Sequence, residues 1–198
     1  MINHIEIRVN ALNNNKTGDQ YSYSPRGFIE DVINYPWLAK LTDDEKEKLL
    51  SGFARYIAFI MRRMLKDSIR DQRYKGYWTP LDSKYLQFKK DHGLSPNIWE
   101  STGFLLNNIS AYRQGSDYIV GFRPFVCYPG TNVKVLYVAQ CLEFGTKHMP
   151  ARPLFGPVTR HIRRYIRRYW LLYLMHPKKY IGDRLTNKIW RERGYSFL

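Results

Sequence analysis

In this 198-residue chain the acids are few, 17 Asp and Glu against 32 Lys and Arg. Glu143 is the one acid in the stretch 142–157. No second carboxylate stands at a defined spacing from it, as paired general acid–base work would require. Ser, His and Asp can be assembled on paper from any chain this long, but none here occupies the turn context of a nucleophile. Cys127 and Cys141, with His148 and His161, lack Cys-x-x-Cys or His-x-x-x-His spacing, so neither a metal site nor a disulfide framework is expected. The cysteines lie in apolar surroundings and are expected as reduced core thiols, and His148 as a loop or interface residue. Gly145-Thr146-Lys147 has the ending of a phosphate loop without its upstream glycine or its following helix. The sequence therefore predicts no catalytic residue, no cofactor and no enzyme.

The sharper chemistry is basic. Arg160, Arg163, Arg164, Arg167 and Arg168 share one side of a helical pattern over 155–173, and guanidinium groups bind phosphates and carboxylates bidentately. A solvated face, with arginines lying over apolar surface, is the plainer reading. Leu171 among the arginines and a net charge of +15 favour contact with an acidic partner: nucleic acid, a membrane surface or acidic protein. No run approaches the roughly 20 apolar residues of a membrane span, and residues 1–15 lack the apolar segment of a secretory signal. A soluble, intracellular chain with no membrane partner is expected.

The elements that would place these residues read as follows. Thr42-Asp43-Asp44-Glu45 is a capping box opening a helix to about residue 73. Leu49, Leu50, Phe53, Tyr56, Ile57, Ile60, Met61, Met64 and Leu65 form its broad apolar arc. Thr79 and Pro80 are expected to start a short helix that Gly93 closes. Residues 109–112 and 118–122 flank a turn and read as a hairpin, with 125–128 as a further strand before Pro129-Gly130. Within 133–144 length and composition allow strand or helix, and a helix over 137–144 is favoured because Gly145 stands at its C-cap. Val158, Ile162, Tyr165, Ile166, Tyr169, Leu172 and Tyr173 are the expected apolar face of the last helix. Between these two helices, Gly145, Pro150, Pro153 and Pro157 make a stiff elbow. In the first 40 residues, Ile5, Ile7 and Val9 permit a short strand, and Tyr21, Tyr23 and Phe28 suit either docking on a neighbour or packing on the chain's own core. With 16 Tyr, 10 Phe and 5 Trp, the aromatic content suits interfaces as well as a core.

Several segments together resemble a known family. Trp78-Thr79-Pro80-Leu81 with Tyr85 and Lys89, then Leu94, Ser101-Thr102-Gly103-Phe104-Leu105, Ile109 and Val120-Gly121, resembles the middle of tailed-phage virion morphogenesis proteins. Tyr137-Val138-Ala139, Leu142-Glu143-Phe144-Gly145-Thr146 and Met149-Pro150-Ala151-Arg152-Pro153-Leu154-Phe155-Gly156 resemble their C-terminal signature. These are tail-completion, or head–tail joining, proteins of the phage neck, and the likeness spans about residues 50–170. It implies an α+β fold, with a long helix packed on a small antiparallel sheet and additional helices. An N-terminal arm over 1–40, a ring-forming core over 41–173 and a C-terminal extension over 174–198 are expected. The resemblance further implies a ring homo-oligomer in the virion, assembled in the host bacterial cytoplasm. Its partners would be a portal or head-completion protein and tail tube or sheath proteins, with DNA in the lumen as a further candidate. Trp78, Pro80, Gly103, Leu105, Glu143, Phe144, Gly145, Pro150, Ala151, Arg152, Pro153 and Phe155 would be its structural and interface positions. The long arm, the arginine density and the extension depart from the family pattern. The alternative function is a basic nucleic-acid-binding protein that tracks a phosphate backbone with its arginine helix.

Overall fold

Thr42 starts the longest element. Its hydroxyl accepts the Glu45 N–H at 3.3 Å, and Glu45 Oε2 accepts the Thr42 N–H at 2.9 Å. This reciprocal cap, with Asp43 and Asp44 beside the positive helix end, launches α1 over Asp43–Arg70. The computed structural model describes residues 6–9, 37–115, 117–176, 185, 188 and 189. The remainder of the expected arm and extension lies outside the described residues.

The fold is α+β. After α1 come α2 (Ser83–Asp91), a single helical turn α3 (Phe104–Asn107), α4 (Val135–Phe144) and α5 (Phe155–Met175). The strands β1 (Glu6–Val9), β2 (Ser110–Gln114) and β3 (Asp117–Gly121) form one antiparallel sheet in the order β1-β3-β2. The hairpin closes between Gln114 and Asp117, where Gly115 takes φ +62°. α1 packs across the central strand β3, where Val120 is buried in the common core.

Leu49, Phe53, Ile57, Met61 and Leu65 are the fully buried line of α1, while Leu50, Tyr56, Ile60 and Met64 border it. α5 covers this line. Phe53 meets the Trp170 ring edge-on at 4.9 Å, and the buried Tyr173 hydroxyl donates to the Leu49 carbonyl at 3.0 Å. Burying Phe53 contributes about 2–3 kcal/mol, and the aromatic pair about 1 kcal/mol more. The far end of α1 is tied by Gln72, whose amide donates to the Ile98 carbonyl and accepts the Ile98 N–H, both at 3.0 Å.

Four expectations need correction. The N-cap of α2 is Asp82, which accepts the Lys84 and Tyr85 N–H groups; Thr79 and Pro80 instead turn their carbonyls to Arg152. Residues 125–128 make only a bridge, Cys127 to Lys134, with Phe125 left exposed. α4 begins at Val135 because its N–H bonds the Val126 carbonyl, fixing the chain two residues earlier than expected. On α5, Tyr165 and Leu172 are about 40% exposed, whereas Trp170 and Leu174 are buried. The backbone leaves helical geometry at Tyr165 (φ −108°, ψ 15°), so the buried stripe changes register there.

Trp37 and Leu38, and beyond α5 Leu185 and Ile189, belong to the packed core. Lys188 Nζ reaches Glu45 Oε2 at 2.6 Å. Packing therefore continues past both ends of the 41–173 span.

Candidate functional site

The elbow between α4 and α5 is held by buried polar bonds. Gly145 ends α4 with φ 77° and ψ 176°, and a Cβ there would lie 2.8 Å from the Ala151 nitrogen and 2.9 Å from the Met149 oxygen. Only glycine fits such close backbone in that conformation. The chain then makes a tight turn, with Thr146 N–H to the Met149 carbonyl at 2.7 Å. It folds back so that the Arg152 N–H reaches the Leu142 carbonyl at 2.7 Å. Glu143, 2% exposed, turns its carboxylate to the start of α5. There it accepts the N–H groups of Leu154 (2.7 Å), Phe155 (3.1 Å) and Gly156 (3.3 Å). Helix starts leave such donors unsatisfied and favour negative charge, and α5 has no local side-chain cap. The lone acid of the motif is a long-range helix cap.

Arg152 works in the other direction. Only 4% exposed, it donates from Nε to the Thr79 carbonyl at 2.8 Å and from Nη2 to the Pro80 carbonyl at 3.2 Å. Two indoles complete the frame. Trp78 Nε1 donates to the Pro153 carbonyl and Trp99 Nε1 to the Arg152 carbonyl, both at 2.8 Å. Trp99 holds φ +66°, a strained position for an aromatic residue, and its ring lies 6.2 Å from that of Phe155.

Of the expected structural positions, Trp78, Pro80, Glu143, Arg152, Pro153 and Phe155 come together in this frame. Leu105 is buried nearby, Phe144 is half-buried, and Pro150 and Ala151 are exposed. Gly103 stands apart, capping α3 with φ +79°. The buried members bond or pack within the protomer, and of them Leu105 and Arg152 also line a cavity. Trp99 and Lys89 were not among the expected site residues. Lys89 enters only through the family resemblance, yet it is buried, with Nζ bonded to the Asn97 and Glu100 carbonyls at 2.8 and 2.6 Å. A lysine at an otherwise apolar helical spacing was the available signal for it; nothing local marks Trp99.

The five arginines are all exposed on α5, and Leu171 among them is 48% exposed. The kink at Tyr165 separates Arg160, Arg163 and Arg164 from Arg167 and Arg168. Arg73, just past the end of α1, adds to their field at His161. Burial, then Arg164 and Arg73, push His161 below its usual pKa. Burial, then Arg62 and Arg70, lower that of Lys66. None of Arg160, Arg164, Arg167 and Arg168 forms an ion pair among the described residues. Their guanidinium groups are free to meet carboxylates or phosphates bidentately.

Among the described residues, no group of three or more His, Cys, Asp or Glu is arranged to hold a metal ion. None of the described helices is long and apolar enough to cross a membrane. Compared with protein-family models, with curated proteins and with solved structures, the chain finds no match.

Proposed function

We propose that this protein is a virion structural component of a phage neck. It would form a ring at the head–tail junction that completes the tail and joins it to the portal or head-completion complex. The observation that carries this reading is the interlocked elbow. Two segments that resemble the neck family, 78–81 and 142–156, lie far apart in sequence and meet in one buried frame through Trp78, Glu143 and Arg152, to which Trp99, outside the resemblance, adds a further bond. Such a frame fixes a shape and leaves other surfaces to meet neighbours, which suits assembly by binding. Subunits would pack head-to-tail until rotation closes the ring. The arginine face would meet an acidic neck protein or DNA in the lumen.

The mass of the purified protein by light scattering, with electron microscopy of the protein and of virions, tests this. Closed rings and presence in virions are expected. A monomer at all concentrations that is absent from virions would refute it. The second reading, a nucleic-acid-binding protein, draws on the exposed arginines of α5, four of which form no ion pair among the described residues. It requires duplex DNA affinity that falls steeply as salt rises.

A further inference from the structure

Between α2, residues 97–102 and α4 lies a half-open cavity of about 600 Å³. Trp99, Leu105, Val138 and Leu142 give it apolar walls, and Tyr85, Tyr128 and Tyr137 surround them. Tyr85 and Tyr137 are 46% and 61% exposed at its rim, so a visitor would find aromatic surface outside as well as within.

Two buried cations line the same space. Lys89 spends two donors on carbonyls, and its ammonium sits 5.7 Å from the Tyr85 ring centre. Arg152 spends Nε and one Nη2 donor on the Thr79 and Pro80 carbonyls, and its Nη1 has no hydrogen-bond partner among the described residues. Two acids in the lining, Asp82 and Glu100, balance the two cations in number, but their oxygens are already taken up by local donors, whereas Arg152 keeps its Nη1 donors unused among the described residues. Asp82 caps α2, and Glu100 accepts Ser95 Oγ and Asn97 Nδ2, both at 3.0 Å. A guanidinium removed from water gains most from an arriving carboxylate.

We propose that this cavity docks an acidic segment of a partner polypeptide, with an apolar side chain entering between Trp99 and the tyrosines while a neighbouring carboxylate takes Arg152. Charge favours this occupant over a second copy, since the chain itself carries +15. The site does not depend on the ring reading, because a single protomer contains all of it.

The two cysteines supply the test. Both are partly exposed, but Cys141 lines the cavity and Cys127 does not. Alkylation of the full chain by N-ethylmaleimide, followed by peptide mass spectrometry, reports each thiol separately. The probe is an acetylated, amidated tripeptide of sequence Glu-Phe-Glu. At twice its dissociation constant it should slow Cys141 alkylation about threefold and leave Cys127 unchanged. Replacing both acids by Gln, or the aromatic residue by Ala, should remove the protection. Val138→Trp, which fills the cavity, should abolish it, and Tyr85→Ala at the exposed rim should weaken it. Equal protection of both thiols would mean general charge attraction and overturn the proposal. So would protection by 4-phenylbutyrate with none by the peptide, which would mark a small-molecule site. Full alkylation of Cys141 at the free-protein rate in the presence of the peptide would overturn it too.

Discussion

Glu143 Oε2 accepts the Leu154 N–H at 2.7 Å across eleven positions of chain, so the end of one helix caps the start of the next. The orientation of the arginine-bearing helix α5 is tied to α4 through this carboxylate. Glu143→Ala would leave three buried donors without it, and a loss of about 3 kcal/mol or more is expected. Glu143→Gln keeps an acceptor but removes the charge and should lose about 1–2 kcal/mol. Urea unfolding of the two variants checks the order; equal, small losses would show that the cap is dispensable.

Arg152→Lys is expected to lose about 2 kcal/mol, because an ammonium cannot span the Thr79 and Pro80 carbonyls from one planar group. Trp78→Phe and Trp99→Phe, whose indoles donate to adjacent carbonyls, should be non-additive by about 0.5 kcal/mol or more in a double-mutant cycle. Pro150→Gly and Pro153→Gly should cost less than the polar substitutions, about 1 kcal/mol each, through the unfolded chain. If the prolines proved costlier than Arg152, stiffness of the elbow would reside in them after all.

Gly145→Ala should destabilise by about 2–3 kcal/mol, since the added carbon meets two backbone atoms under 3.0 Å in a conformation that disfavours side chains. Gly93→Ala, at φ +63° but in open space, should cost about 1 kcal/mol. Thermal melts of the pair separate crowding from conformation, and equal shifts would argue against crowding.

The Glu45 carboxyl is held below its ordinary value of 4.5, first by the Lys188 ammonium and then by the Thr42 backbone. A depressed carboxyl contributes stability above its unfolded pKa, and that contribution is lost as pH falls through the folded value. Stability should therefore drop below about pH 4.5, and Glu45→Gln should flatten this acid limb. A melting temperature with the same acid slope in both proteins would remove Glu45 from the account.

Arg164→Glu with Arg168→Glu, both exposed, should change unfolding stability by about 0.5 kcal/mol or less. On the proposed neck reading, the same variant should impair ring formation or incorporation into particles. Retention of full assembly by the double variant would leave the arginine face as solvated surface.

Local patterns were legible in the chain. The capping box at Thr42, the apolar line of α1, the hairpin closed at Gly115 and the terminating Gly145 are each written in neighbouring residues. They depend on short-range backbone hydrogen bonding and on helical or strand periodicity. The kink at Tyr165 was not legible, because a shift of register within one helix is set by what it packs on.

The site divides along the same line. Residue types alone marked 142–157 as stiff and α5 as basic, since proline geometry and charge belong to single residues. Only the tertiary structure decided that Glu143 is a cap, that Arg152 and two tryptophans bolt the elbow, and that two buried cations line a cavity. Those roles arise because burial obliges each polar group to find a partner, and here the partners stand from 8 to 75 positions away in the chain.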